Sequence, residues 1–193
     1  MSEHDHGGAE EHDEGEGHHH GHDDHADHDH HHHDVERLGV AVVTVSSSRT
    51  LEDDPSGDAI ADLVEGSAHT VEARSLVEDD HDAVQGRVNS YIDDAAVDAV
   101  VTTGGTGVTP DDVTVEAVEG LFDKQLPGFG ELFRRLSYDD IGTRVVGTRA
   151  TAGIADATAV FCLPGSEAAV RLGVEEIILA EAPHLVGLAR RAE

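Results

Sequence analysis

The sequence predicts an α/β protein, with a doubly wound, mostly parallel sheet carrying helices on both faces, behind a disordered His-rich acidic tail. Three observations lead there. Short apolar, β-branched runs alternate with stretches whose apolar residues recur at helical spacing, the pattern of βα units and a parallel sheet. Two of those runs end in glycine-bearing turns that open helices. The first 34 residues hold 13 of the 16 histidines and 12 acidic residues, with no Val, Ile, Leu, Phe, Lys or Arg. Such a segment has no apolar surface to offset the entropy of ordering it. The expected division is therefore a tail over 1–34 and one domain over 35–193, long enough to bury a sizeable core.

The elements follow in order. Leu38 to Val45 is apolar almost throughout, as suits a central strand covered on both faces. It ends in Ser46-Ser47-Ser48-Arg49-Thr50, and an acidic loop with Pro55 leads into a helix carrying Ala59, Ile60, Leu63 and Val64, with Gly66 as its stop. Thr70–Val77 alternates and reads as a second strand. Asp79 or Asp80 caps the next helix, whose apolar face is Val84, Val88, Tyr91 and Ile92. Val97–Thr102 is the third strand. A helical region around Phe129–Leu136 is opened by Pro127-Gly128. A last strand, Ala157 to Leu163, runs into Pro164-Gly165-Ser166 and a final helix from Glu167 through Ile178, continuing past Pro183.

Charge excludes several functions. Beyond residue 34 there are 29 Asp and Glu against 12 basic residues, a net charge of −17, and Lys124 is the one lysine. That surface repels nucleic acid and anionic lipid. Its near-lack of lysine suggests a salt-rich cytoplasm, where ionic strength screens self-repulsion. No run of 18 apolar residues or signal-peptide core is present, so a cytoplasmic protein is expected, with no membrane and no nucleic acid as partners. Cys162 lies in an apolar strand and makes no intrachain disulfide.

The most informative stretch is Thr103-Gly104-Gly105-Thr106-Gly107, between a buried strand and a helix start near Asp112. Glycines let the backbone approach a phosphate, and N–H groups at a helix start point at it. The competing reading is a tight βα turn. It is neither a P-loop nor a dinucleotide fingerprint. In such folds ligands bind outside the carboxyl ends of the strands, where Ser46–Arg49, Leu76–Asp80, Thr103–Asp112 and Leu163–Ser166 all belong.

These residues resemble a known family. Thr103–Gly107 followed by Asp112-Val113-Thr114 and Glu116-Ala117, then Pro127-Gly128-Phe129-Gly130-Glu131, Arg149-Ala150-Thr151-Ala152-Gly153 and Leu163-Pro164-Gly165-Ser166, resemble in order and spacing the signature of the MoaB/MogA family of molybdenum cofactor biosynthesis proteins. The run Arg134–Tyr138 with Ile141-Gly142 looks more like the MoaB branch. The resemblance spans about residues 36–188. It implies the molybdopterin-binding fold and transfer of AMP from Mg-ATP to the terminal phosphate of molybdopterin, giving adenylyl-molybdopterin and pyrophosphate. Molybdopterin, ATP and Mg2+ are the implied ligands, and a homotrimer or homohexamer the implied assembly. A molybdate-inserting protein is the implied partner.

By the same resemblance Asp112 and Asp79 are the catalytic carboxylates, acting on phosphates through Mg2+. Taken alone, either could be a helix N-cap. The resemblance does not separate Asp112 from Asp111, or Asp79 from Asp80. Gly104, Gly105, Thr106 and Gly107, with Thr103, would cradle a phosphate. Pro164-Gly165-Ser166 would hold a second anion or the pterin side, or simply open a helix. Ser46 and Ser48 would donate to the ligand or cap a turn. Glu131 would meet the pterin ring or stay solvated, and Arg149 would meet a phosphate or pair with an acidic neighbour. Asp111, Glu78 and Val115 depart from the usual family residues, and a non-catalytic molybdopterin- or precursor-binding protein is the alternative. The tail histidines, notably His18, His19, His20, His30, His31, His32 and His33, suit divalent metals such as Ni2+ or Zn2+ at multiple unselective sites, the other reading being a solvated acidic tail.

Overall fold

The apolar run at the start of the domain is strand β1 (Gly39–Val45), buried over its whole length. The computed structural model describes residues 34–191; the expected tail, up to residue 33, lies outside them. β1 pairs in parallel with β2 (Thr70–Val77) on one side and β3 (Ala99–Thr103) on the other, and β3 pairs in parallel with β6 (Thr158–Leu163). β5 (Thr151–Ala155) and β4 (Lys124–Gln125) extend the sheet antiparallel beyond β6, giving the order β2-β1-β3-β6-β5-β4. The four parallel strands bring their carboxyl ends to one edge, as expected for an α/β sheet.

Side chains alternate along each strand between two cores. Val40 and Val42 of β1, Val101 of β3 and Phe161 and Leu163 of β6 pack with helices α1 (Pro55–Glu65), α4 (Pro127–Ile141), α5 (Glu167–Gly173) and α6 (Leu179–Ala189). Ala41, Val43 and Val45, with Val100, Val160 and Cys162, face α2 (His81–Ile92) and α3 (Thr114–Glu119) on the other side. Each fully buried Val or Leu contributes about 1.5–3 kcal/mol relative to exposure. Phe129 stacks on Phe133 and tilts against Phe161, tying α4 to β6. No described helix is long and apolar enough to cross a membrane.

The last strand, the antiparallel strands and α4 differ from expectation. The last strand begins at Thr158, because Asp156 and Ala157 have φ of 44° and 65° and form a hairpin turn with β5. Two consecutive left-handed residues match the twist of a two-residue hairpin. β4 and β5 were not anticipated: β4 has two residues, and Thr-Ala-Gly-Ile-Ala lacks a β-branched run. α4 runs five residues past Leu136 and ends at Gly142, with a 3-10 turn over Gly142–Gly147.

The final helix also departs from a regular α-helix. A π turn over Val174–Ile178 joins α5 to α6, ahead of Pro183 inside α6. Pro183 has no N–H for the Leu179 carbonyl, which instead accepts from the His69 ring, while His69 Nδ1 accepts from the Leu38 amide at 3.3 Å. Burial lowers the pKa of His69 and favours this neutral form, against the opposing influence of Asp98.

Candidate functional site

The Thr103–Gly107 turn is locked from both sides. Gly104 has φ of +100° and Gly105 +65°. A Cβ on Gly104 would stand 2.2 Å from the Val45 carbonyl oxygen, and one on Gly105 2.2 Å from Thr114 Oγ1. Thr114 Oγ1 donates to the Gly104 carbonyl at 2.8 Å and its amide to the Gly105 carbonyl at 3.0 Å. The Gly104 amide donates to Leu163 and Thr103 Oγ1 to the Pro164 carbonyl, so this turn is stitched to the one after β6. Among the described residues the amides of Gly105 and Thr106 donate to no protein acceptor. Two free amides on a rigid glycine turn at the carboxyl edge of a sheet suit an anion.

The acidic pairs separate clearly. Asp80 is the N-cap of α2, accepting from the Ala83 amide at 2.9 Å. Asp79 instead reaches across to the end of β1. Its Oδ2 accepts from the Ser47 amide at 2.7 Å, and its own amide donates to Ser47 Oγ at 3.1 Å. Asp112 is not a cap either, since the cap position of α3 falls on Val113, which makes no side-chain bond. Asp112 Oδ2 accepts from the amide of Thr109 at 2.8 Å and from its hydroxyl at 2.7 Å. Burial pushes its carboxyl up, but the Thr109 hydroxyl and amide, the Gly107 amide and the Arg149 charge together hold it below the usual range. It is therefore ionised and fixed beside the glycine turn. Asp111 is exposed.

Arg149 is engaged throughout with the protein. Its Nε donates to the Gly107 carbonyl at 2.6 Å, one terminal nitrogen to the Asp112 carbonyl at 2.9 Å, and the other pairs with Glu116. Its amide donates to Thr106. The Glu116 pair is an acidic neighbour of the kind the sequence allowed, and the bond and charge of Arg149 hold the Glu116 carboxyl low. Arg149 lies between two clefts. One is lined by Thr109, Asp112, Val113 and Glu116. The other, between α3 and α4, holds Glu131 with Glu119, Arg134 and Thr151.

The remaining residues lie along the same edge. Ser46 Oγ accepts from the Ser48 amide at 3.3 Å, making a local turn. Ser166 caps α5 through the Ala169 amide at 3.3 Å. The Gly165 carbonyl accepts from Arg49 at 3.1 Å and from Ser56 Oγ at 2.8 Å. Asp54, 1% exposed, caps α1 through the Gly57 amide, accepts from Thr44 Oγ1 at 2.6 Å, and lies 3.5 Å from both Arg49 and Arg74. The sequence places Arg49 on the ligand-binding edge without a role, and gives Asp54 and Ser56 none. The Asp54-Pro55 pair was a legible N-cap signal, but nothing in the sequence places Arg49 on a turn more than a hundred residues away. Cys162 is wholly buried and its thiol is pushed up to about 12 by burial, which makes it unreactive. Among the described residues no three His, Cys, Asp or Glu side chains converge as a metal cage.

Comparison with known proteins decides the family. A probable molybdopterin binding domain matches residues 41–184, from β1 into α6. Molybdenum cofactor biosynthesis protein B of Bacillus subtilis is 47% identical over 146 residues, covering 75% of this chain and 86% of that protein. The chain belongs to the MoaB family of molybdenum cofactor biosynthesis proteins. The Escherichia coli K12 protein B is 41% identical over 139 residues, covering 72% of this chain and 82% of its own. A crystal structure of a molybdenum cofactor biosynthesis protein B superposes with a TM-score of 0.78 at 40% identity, covering 83% of this chain and 99% of the other. The tungsten cofactor synthesizing MoaB of Pyrococcus furiosus gives 0.73 at 38%, covering 81% and 99%. A MogA structure is 28% identical, in line with the MoaB branch expected from Arg134–Gly142. Both glycine-bearing turns, Asp79, Asp112 and Arg149 lie inside the matched probable molybdopterin binding domain.

Proposed function

We propose that this chain transfers AMP from Mg-ATP to the terminal phosphate of molybdopterin. The observation that carries the reading is the ionised Asp112 carboxylate fixed beside a glycine turn with two free amides. An oxygen of the molybdopterin phosphate attacks the α-phosphorus of ATP. The new P–O bond forms as the bond from the α-phosphorus to the bridging oxygen breaks, and pyrophosphate leaves. Little covalent work falls to the protein in such a transfer; it positions the phosphates and manages their charge. The Gly105 and Thr106 amides hold one phosphate group. The edge formed by Ser46, Ser47 and Ser48 with Asp79, and the turn Pro164-Gly165-Ser166, bound the space for the second ligand.

The donor set fits Mg2+ carried by phosphates. A cage made of protein alone would need more convergent carboxylates than the described residues offer, whereas Mg2+ in nucleotide sites takes one or two carboxylates plus phosphate oxygens. Asp112 and Asp79 are the residues that would hold it, and bound Mg2+ would neutralise charge on the transferring phosphate. Asp79 follows β2 and Asp112 follows the turn after β3, the two strands on either side of β1.

The test is incubation with molybdopterin and Mg-ATP in molar KCl. Stoichiometric pyrophosphate with an adenylylated pterin supports the reading. Tight molybdopterin binding without pyrophosphate supports a non-catalytic binding protein, which the departures at Glu78 and Asp111 favour. Assembly belongs to the same proposal. Tyr138, Ile141 and Val146 expose apolar surface at and beyond the end of α4, and burying it between copies in a closed threefold oligomer removes it from water. The tail histidines bind divalent metal independently of the transfer.

A further inference from the structure

The two glycine-bearing turns of the proposed site are each clasped by one arginine, and in neither case does the guanidinium face outward as a free cation. Arg149 clasps the first: it donates to the carbonyls of Gly107 and Asp112 and its own amide to Thr106, with Glu116 holding its far end. Arg49 clasps the second: it donates to the Gly165 carbonyl, which Ser56 also holds, and its far end rests on the buried Asp54. Asp54 is itself fixed by Thr44, the Gly57 amide and Arg74. The pattern is the same twice. A guanidinium grips a turn carbonyl, and a carboxylate grips the guanidinium. The turns then meet, with Gly165 so close to Gly104 that a Cβ on it would lie 3.3 Å from the Gly104 Cα.

We propose that Arg49 and Arg149 are positioning residues, one per turn, and that each sets the affinity for the ligand held by its own turn without touching either ligand. The inference rests on the adenylyl-transfer reading for the identity of the ligands, but not for the clasps themselves. Arginine suits the task because its planar fork makes several directed bonds from one rigid group, which lysine cannot reproduce. Ligand affinity depends on the turn being preorganised; a turn that must be ordered on binding costs affinity. Both guanidinium groups are about one-third exposed, so their replacement leaves both hydrophobic cores intact.

The experiment pairs Arg49→Gln with Arg149→Gln, and adds Arg49→Lys, in the full chain at molar KCl. Hydrogen exchange is read by mass spectrometry, followed by steady-state kinetics with each substrate varied in turn. Arg49→Gln speeds exchange at least fivefold over residues 164–170 and leaves 104–117 and α2 within twofold. Arg149→Gln does the reverse, with 104–117 affected. In kinetics each variant raises the KM of one substrate at least tenfold and leaves the other within threefold, and the two variants act on different substrates. Arg49→Lys does not restore the lower KM. A general loss of stability would lower the active fraction and move neither KM. Exchange that rises in both turns, in neither, or across the whole domain overturns the inference, as does selective exchange with unchanged KM values in an active enzyme. Selective exchange in the two variants, with a wild-type protein that releases no pyrophosphate, leaves the clasps standing and overturns adenylyl transfer instead.

Discussion

Replacing Gly104 by alanine tests the locked turn directly. The substitution puts an L side chain at φ +100°, a strained conformation costing about 1–3 kcal/mol. It also drives a Cβ to 2.2 Å from the Val45 carbonyl oxygen, on the central strand of the sheet, where nothing flexible can yield. Forced overpacking of that kind costs about 1–3 kcal/mol more. The sum, roughly 2–6 kcal/mol, is a large part of an ordinary domain's stability of about 5–15 kcal/mol. At about 2–4 °C per kcal/mol for a domain of this size, the melting temperature falls by roughly 5–20 °C. The assay is thermal unfolding in molar KCl, with Gly86→Ala in parallel. Gly86 sits inside α2 with nothing within 4 Å of an added Cβ, so alanine there raises helix propensity by about 0.8–1 kcal/mol and the melting temperature rises. A Gly104→Ala protein that melts with the wild type would refute the argument for the turn.

Three further outcomes follow from charge and titration. The folded domain loses thermal stability as KCl falls from molar to tenth-molar, because its net charge of −17 is screened over about 3 Å in the first case and about 10 Å in the second; a melting temperature flat across that range contradicts salt adaptation. Asp112 is held below its usual pKa in the fold, so its contribution is complete above the unfolded value and disappears as pH falls through the lowered one. Thr109→Val removes the hydroxyl donor and shifts the acid unfolding limb to higher pH; coincident acid limbs count against the assigned hydrogen bond. A chain beginning at Val35 keeps adenylyl transfer but loses most Ni2+ or Zn2+ binding near neutral pH, and the full chain releases that metal near pH 5, below the imidazole reference of about 6.5. Equal metal binding by both chains places the site elsewhere.

The inner parallel strands were legible in the sequence because burial on both faces writes itself as nearly continuous apolar runs, as in Leu38–Val45 and Val97–Thr102, and the edge strand β2 because its residues alternate. The antiparallel half was not. Three of the five residues of β5 are alanine or glycine, and its hairpin turn uses Asp156-Ala157 where Asn-Gly would have been recognised. The site divides in the same way. Its glycine turns and acidic residues stand out as local motifs, but which member of each acidic pair caps a helix depends on where the chain turns. In the fold Asp80 caps α2 and Asp79 binds Ser47. The Arg49–Gly165 contact joins segments 116 residues apart and leaves no local trace in the sequence.

If Asp112 serves adenylyl transfer, Asp112→Asn separates from the wild type in turnover and not in ligand affinity. Asparagine keeps the shape and the hydrogen-bonding oxygen but removes the charge that would carry Mg2+ to the phosphates. Pyrophosphate release from molybdopterin and Mg-ATP should slow at least a hundredfold, about 2.7 kcal/mol of barrier, while molybdopterin affinity stays within a few-fold. Turnover at the wild-type rate in that variant would contradict the account.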